Sequence, residues 1–144
     1  NTGVRLVKVP MPNLADESLR YGADNPVIRL TEVYYMLAEC KFRASDSQGA
    51  ASLINTVRTR NFENGTDPDP VTTGNLDEYR LLDEWGVEFL GEGRRRTDLI
   101  RWNKFTTEKW WDHEASGSSH LRRYPVPENA ISGNNALEQN PGYN

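Results

Sequence analysis

Asp24-Asn25-Pro26-Val27-Ile28-Arg29-Leu30-Thr31-Glu32-Val33-Tyr34-Tyr35-Met36-Leu37-Ala38-Glu39-Cys40-Lys41-Phe42-Arg43 is the most regularly patterned stretch of this chain. An Asx residue followed by Pro at the first helical position is a helix-start signal, because the side-chain oxygen caps free N–H groups and Pro has no N–H to waste. From there Leu30, Val33, Tyr34, Leu37, Ala38 and Phe42 recur at i, i+3, i+4, i+7, i+8 and i+12, one stripe of a 3.6-residue period. The spacing therefore predicts a helix from Pro26 to Arg43 with that stripe turned to a core. Cys40, within the same pattern, reads as a small buried hydrophobe.

Outward from this helix, Ser45-Asp46-Ser47-Gln48-Gly49 is a short polar break, after which Ala50, Leu53, Ile54 and Val57 repeat the spacing up to Arg60. Two helices joined this tightly form an antiparallel hairpin. Asn61 to Asn75, with Gly65, Pro68, Pro70 and Gly74, reads as a surface loop. Asn75 and Glu78 make a capping-box-like start for a third helix whose Leu82, Trp85 and Phe89 share one face, and which Gly91 and Gly93 end. Arg94 to Lys104 forms a shorter fourth helix carrying Leu99, Ile100 and Trp102, and Trp85 and Trp102, in helical stripes, are expected in the core. Before Asn25, Val4 to Val9 is β-prone but stopped by Pro10 and Pro12, so residues 1–24 read as an extended arm. From Asp112 the tail is mostly irregular. The expected fold is all-α: antiparallel helix pairs of tetratricopeptide-like type with long irregular loops and a C-terminal tail.

Composition limits the function classes. The chain has 144 residues, 36% of them hydrophobic, with 17 Lys+Arg against 21 Asp+Glu and a net charge of −4. That is the size of one domain, and the negative balance argues against nucleic acid as the partner, although Arg94, Arg95, Arg96, Arg101 and Lys104 make residues 91–104 locally basic. No apolar run approaches the roughly 20 residues that span a bilayer. One cysteine excludes an internal disulfide and a cysteine-based zinc site.

Three constellations could carry chemistry. Glu84, Glu88 and Glu92 stand at i, i+4 and i+8, one helical stripe, with Arg95, Asp98 and Arg101 following. A catalytic carboxylate pair must face its partner across a substrate. A ladder on one face points all its groups the same way, which favours a structural ion-pair network of Glu84, Glu88, Glu92, Arg95, Asp98 and Arg101 over a glycosidase pair. His113 and His120 lie in a Gly/Ser-rich tract with neither helical i, i+4 spacing nor a Cys partner, so no metal site is expected. Trp110 and Trp111 are adjacent indoles before a polar tract, and flat aromatic rings suit a sugar face or a protein partner as well as packing.

Taken together, these segments resemble the C-terminal part of the SusD/RagB family, the surface glycan-binding lipoproteins of Bacteroidetes nutrient-uptake systems. The resemblance rests on the Asn25–Cys40 helix, on Asn55-Thr56-Val57-Arg58-Thr59-Arg60, on Glu84, Glu88, Glu92-Gly93, Arg95, Asp98-Leu99 and Arg101-Trp102, and on Tyr124-Pro125-Val126-Pro127 with Gln139-Asn140-Pro141-Gly142-Tyr143. Cys40 stands where the family more often has Ala, and Trp85 and Gly86 where it often has basic residues.

The resemblance implies that residues 25–144 are the C-terminal helical part of a SusD-like domain in a longer chain, which would begin with a signal peptide and a lipid-bearing Cys. It implies a non-catalytic protein, without cofactor, exposed at the outer-membrane surface. Such a protein captures an oligosaccharide or other nutrient and delivers it to a SusC-like TonB-dependent transporter. The alternative is a free-standing tetratricopeptide-like module that binds a protein or peptide.

Overall fold

The computed structural model describes residues 8, 15, 26–110 and 113–143. The predicted arm over 1–24 therefore lies outside the described residues apart from Lys8 and Ala15, as do Asp24, Asn25 and Trp111. Five α-helices occur among the described residues, with no strand and no sheet, which is the all-α class expected. None of these helices is long and apolar enough to cross a membrane. Two compact units follow one another, Asn1–Gly93 and Arg94–Asn144.

In the first unit, α1 (Leu30–Arg43) and α2 (Ser47–Arg58) form the predicted hairpin. Ser45 at φ 65° turns the chain, and the Asp46 side chain accepts from the Gly49 N–H at 2.8 Å, capping α2. Ala38, Ala50 and Ile54 are fully buried, so small side chains let the two helices approach closely. The third helix, α3 (Glu78–Glu88), buries Leu81, Leu82 and Trp85, with Phe89 just past its end. Tyr35 of α1 meets Trp85 and Phe89 edge-on, with ring centroids 5.3 and 5.8 Å away, so one aromatic cluster joins α3 to the hairpin.

Three details differ from the sequence reading. Helix α1 starts at Leu30, not Pro26. Arg29 is extended (φ −112°, ψ 150°), and its guanidinium reaches across to Glu88 and Glu92, so tertiary ion pairing overrides the local start signal. The cap of α3 is Asp77, which accepts from the Arg80 N–H at 2.7 Å, while Asn75 is spent on Thr72, accepting from its N–H and donating its own to the Thr72 hydroxyl.

The third correction is the larger one: the buried face of α1 is rotated away from the apolar stripe, with Ala38 the one residue of that stripe that is fully buried. Thr31, Glu32, Tyr35, Ala38 and Glu39 are its buried face. Leu30, Val33 and Leu37 are 72%, 51% and 48% exposed, and Met36 and Cys40 are exposed beside them, so Cys40 is not a core residue. The buried side is set by Tyr35, which fits the Trp85 and Phe89 rings, and by the carboxylate of Glu39, which Arg43 pairs at 2.9 Å.

In the second unit, α4 (Arg95–Arg101) is shorter than expected, and Asn103 at φ 57° ends it. Leu99 is buried, whereas Trp102 is half-buried, not core. The tail is more ordered than its composition suggests. It contains a 3-10 turn, Ser119–Arg122, and a short α5, Glu128–Gly133, which follows Pro127. Its two sequence motifs hold each other: Gln139 exchanges two hydrogen bonds with the backbone of Val126, Asn140 donates to the Tyr124 carbonyl at 2.7 Å, and the Tyr143 hydroxyl donates to the Arg123 carbonyl at 2.7 Å. Arg96 fastens this tail to α4, donating to the Leu121 carbonyl and lying over the Phe105 and Tyr124 rings.

Candidate functional site

Glu84 and Glu88 of α3, with Glu92 in the turn beyond its end and not on the helical stripe expected of it, meet arginines from the end of α2, from the residue before α1 and from α3 itself. Glu84 accepts from Arg58 at 2.6 Å and from Arg80 at 2.9 Å. Glu88 accepts from Arg29 at 2.9 Å and from Arg60. Glu92 takes a bidentate pair from Arg29 at 2.8 and 2.9 Å, and Lys8 stands 3.0 Å from it. Glu84 and Glu88 are buried, so each carboxylate finds its hydrogen-bond partners in guanidinium groups and not in bulk water. The loop joins the same system: Arg58 also grips Asp67 bidentately at 2.6 and 3.0 Å, and Arg80 holds Asp69 at 2.6 Å.

Electrostatics follow from these contacts. The hydrogen bonds from Arg58 hold the Asp67 carboxyl below its ordinary value. For Glu92, burial pushes upward, but the bonds from Arg29 and Lys8 outweigh it and the net shift is downward. Arg29 and Arg58 are raised by the carboxylates they hold, Glu92 foremost for the first and Asp67 for the second. Tyr35, buried and facing the charges of Glu84 and Glu88, is pushed far up and stays a neutral phenol.

The remaining residues predicted as part of this network lie in the second unit. Asp98 is 1% exposed and pairs with Arg101 at 2.9 Å and Arg94 at 3.6 Å. Arg95 is exposed on the first turn of α4. Of the ladder's own partners, Arg29, Arg58 and Arg60 stand 26 to 63 residues away in sequence, beyond the reach of local patterning, whereas Arg80 is four residues from Glu84 on the same helix. Their signal was present: Arg29, Arg58 and Arg60 all fall inside the motifs that carry the family resemblance.

Trp110 is half-buried. Its ring stacks on His113 at 4.0 Å with 15° between planes, and the two backbones bridge around the intervening pair. One indole face is thus taken, and a flat ligand can stack only on the other. No group of three or more His, Cys, Asp or Glu residues among the described residues is arranged to hold a metal ion.

Each unit carries a hollow among its described residues. One, of about 480 Å³, runs along α2 beside Val71 and is lined mostly by hydroxyl and amide side chains. The other, of about 540 Å³, lies in the second unit between α4 and the tail and brings His120, Arg122 and Arg123 together.

Comparison with known proteins fixes the frame for these sites. The sequence profile of the SusD family matches residues 1–143. The chain belongs to the SusD family. Among curated relatives, it is 39% identical over 127 residues to the starch-binding protein SusD of Bacteroides thetaiotaomicron, an alignment covering 83% of this chain and 22% of that protein. It is 29% identical over 141 residues to the SusD-like protein P25 of Formosa agariphila, covering 90% of this chain and 26% of the relative. The chain spans about a quarter of the length of these relatives.

Proposed function

We propose that this chain is the helical scaffold of a glycan-binding protein of SusD type. It captures an oligosaccharide at the outer-membrane surface and passes it to a SusC-like TonB-dependent transporter without making or breaking a bond. The observation that carries this reading is the 39% identity to a starch-binding protein along most of the chain. The ion pairing of α3 supports the non-catalytic part. A general acid must be held protonated near neutral pH. Glu84, Glu88 and Glu92 are instead each paired with a guanidinium group, and the Glu92 carboxyl is held below its ordinary value.

The outward apolar face of α1 supports the reading of residues 25–144 as part of a larger SusD-like domain. Leu30, Val33, Met36 and Leu37 lie on one side of the helix, next to Val27 and Ile28 at 92% and 72% exposure. A face of that kind gains about 25 cal/mol per Å² when it is covered. The rest of a SusD-type chain, lipid-anchored N-terminally, is the element we assign to it.

In this reading Trp110, with Trp111 beside it, contributes a sugar-stacking platform. The test is tryptophan fluorescence of the chain titrated with maltooligosaccharides and other oligosaccharides, in parallel with Trp110→Ala. Saturable quenching lost in the variant is expected. An unchanged titration in Trp110→Ala excludes this indole as a contact, and saturable peptide binding without any sugar response supports the interaction module in place of glycan capture.

A further inference from the structure

The geometry points to a second binding site, for an acidic sugar, in the hollow formed by Ile100, Ser119, His120, Arg122, Arg123 and Pro141. It deepens the proposed glycan-binding role by naming a ligand class. Its volume of about 540 Å³ falls within the range of small-molecule sites, about 300–1,000 Å³. Two guanidinium groups and an imidazole line it, with no carboxylate side chain among its described lining residues. The local balance agrees: residues 94–144 hold eight Lys+Arg against six Asp+Glu, while the whole chain is at −4.

What separates these arginines from the others is their partners. Arg29, Arg58, Arg80 and Arg101 each hold a carboxylate. Arg122 instead donates to the Ile100 carbonyl at 3.2 Å and to the Asn103 side chain at 2.9 Å, both neutral, so its charge is positioned but not compensated. Arg123 is fixed through its backbone, its N–H donating to the His120 carbonyl and its carbonyl accepting from the Tyr143 hydroxyl, and its guanidinium has no partner among the described residues. A planar guanidinium in that state takes an oxyanion bidentately.

The wall behind it is built tightly. The Tyr143 ring meets His120 edge-on at 4.9 Å, and Gly142, at φ 95°, sits so close that a Cβ there would stand 2.6 Å from the His120 side chain. The closing Gln139–Tyr143 motif therefore holds the imidazole and the Arg123 backbone in place. Ile100 and Pro141 offer apolar walls for the C–H face of a pyranose ring, and Ser119 a hydroxyl for its oxygens. An anionic group on a sugar satisfies all of these at once, whereas a bare inorganic anion leaves the apolar walls unused.

Isothermal titration of the full chain with tetragalacturonate, maltotetraose and sodium sulfate tests this, with Arg123→Gln and Arg123→Lys beside the native protein. Tetragalacturonate should bind at least tenfold more tightly than maltotetraose or sulfate, weaken with added salt, lose tenfold or more in Arg123→Gln, and recover in part in Arg123→Lys. Equal affinity for tetragalacturonate in native protein and Arg123→Gln overturns the site. Binding of maltotetraose without a preference for the acidic sugar also overturns it, while leaving glycan binding standing. Sulfate binding as tightly as tetragalacturonate overturns the sugar assignment, and response to no sugar at all counts against both readings.

Discussion

The side-chain amide of Asn55 pairs with both backbone groups of Val71: its Nδ2 donates to the Val71 carbonyl at 2.7 Å and its Oδ1 accepts from the Val71 N–H at 2.9 Å. The amide stands in for a neighbouring strand, and it fastens the 61–77 loop to α2 where Val71, 2% exposed, enters the core. In the second unit Gln139 does the same for Val126, at 2.8 and 2.9 Å. Both residues belong to the motifs that carry the family resemblance, so those motifs mark places where a largely irregular segment must be held.

Asn55→Ala leaves a buried N–H and a buried carbonyl without partners, at a cost of about 2 kcal/mol. Asn55→Asp keeps the acceptor but sets a carboxylate against the Val71 carbonyl, and should be no more stable than the alanine variant at neutral pH. Urea denaturation measures both. A midpoint for Asn55→Asp equal to that of the native protein contradicts the two-point clamp.

Glu88→Ala removes the carboxylate that Arg60 holds and one of the two that Arg29 holds, and the expected loss is about 3 kcal/mol, with a clear fall in Tm. Glu63→Ala, on an exposed residue of the loop, should stay within about 0.5 kcal/mol. Equal melting of the two variants would remove the structural role assigned to the ladder.

Acid should loosen the same network in a defined window. Asp67 and Glu92 titrate below their ordinary values of 3.8 and 4.5 in the folded protein. Their stabilisation is therefore complete above those values and is lost as pH falls through the lower, folded ones. Stability measured by denaturation from pH 7 to pH 2 should fall below about pH 4.5. In Asp67→Asn the fall should be shallower, and an identical pH profile for that variant would contradict the Arg58 pairing.

Gly142→Ala places a methyl against the His120 ring at a backbone angle that L-residues avoid. Destabilisation of about 2 kcal/mol is expected from the overpacking. Thermal melting followed by near-UV circular dichroism reports it through the Tyr143 environment, and a native-like spectrum and melt would show that the tail is not packed as described.

Much of this was legible in the sequence, and what was not has physical reasons. The hairpin of α1 and α2 and the buried face of Leu82, Trp85 and Phe89 followed from periodicity alone, because apolar spacing at 3.6 residues needs no knowledge of the partner. The orientation of α1 did not follow. Its apolar stripe is real, but its inward face is chosen by Tyr35 and by carboxylates such as Glu32 and Glu39, which sequence patterning counts as solvent-facing. The glutamate ladder was visible at i, i+4 and i+8, whereas its arginines are brought in by tertiary folding from as far as Arg29. The basic hollow was missed for the same reason: Ile100 and Pro141 lie 41 positions apart and meet only after the tail folds back.

Exposure of the α1 face gives a direct check on what covers it. Cys40 lies among Val33, Met36 and Leu37 and is exposed in these 144 residues. Its thiol should react with a disulfide reagent at the rate of a free cysteine in this chain and at least tenfold more slowly in the full-length protein. Equal rates would mean that the face stays open and that the rest of a SusD-type chain does not cover it.

The central claim is that these residues are the helical scaffold of a lipid-anchored, SusD-type glycan-binding protein. The intact mass of the native gene product from cell envelopes, before and after release of bound lipid, tests it most directly. The account predicts a chain about four times this length, in line with the relatives, whose mass falls by that of acyl chains on deacylation. An unlipidated product of 16.4 kDa would contradict it.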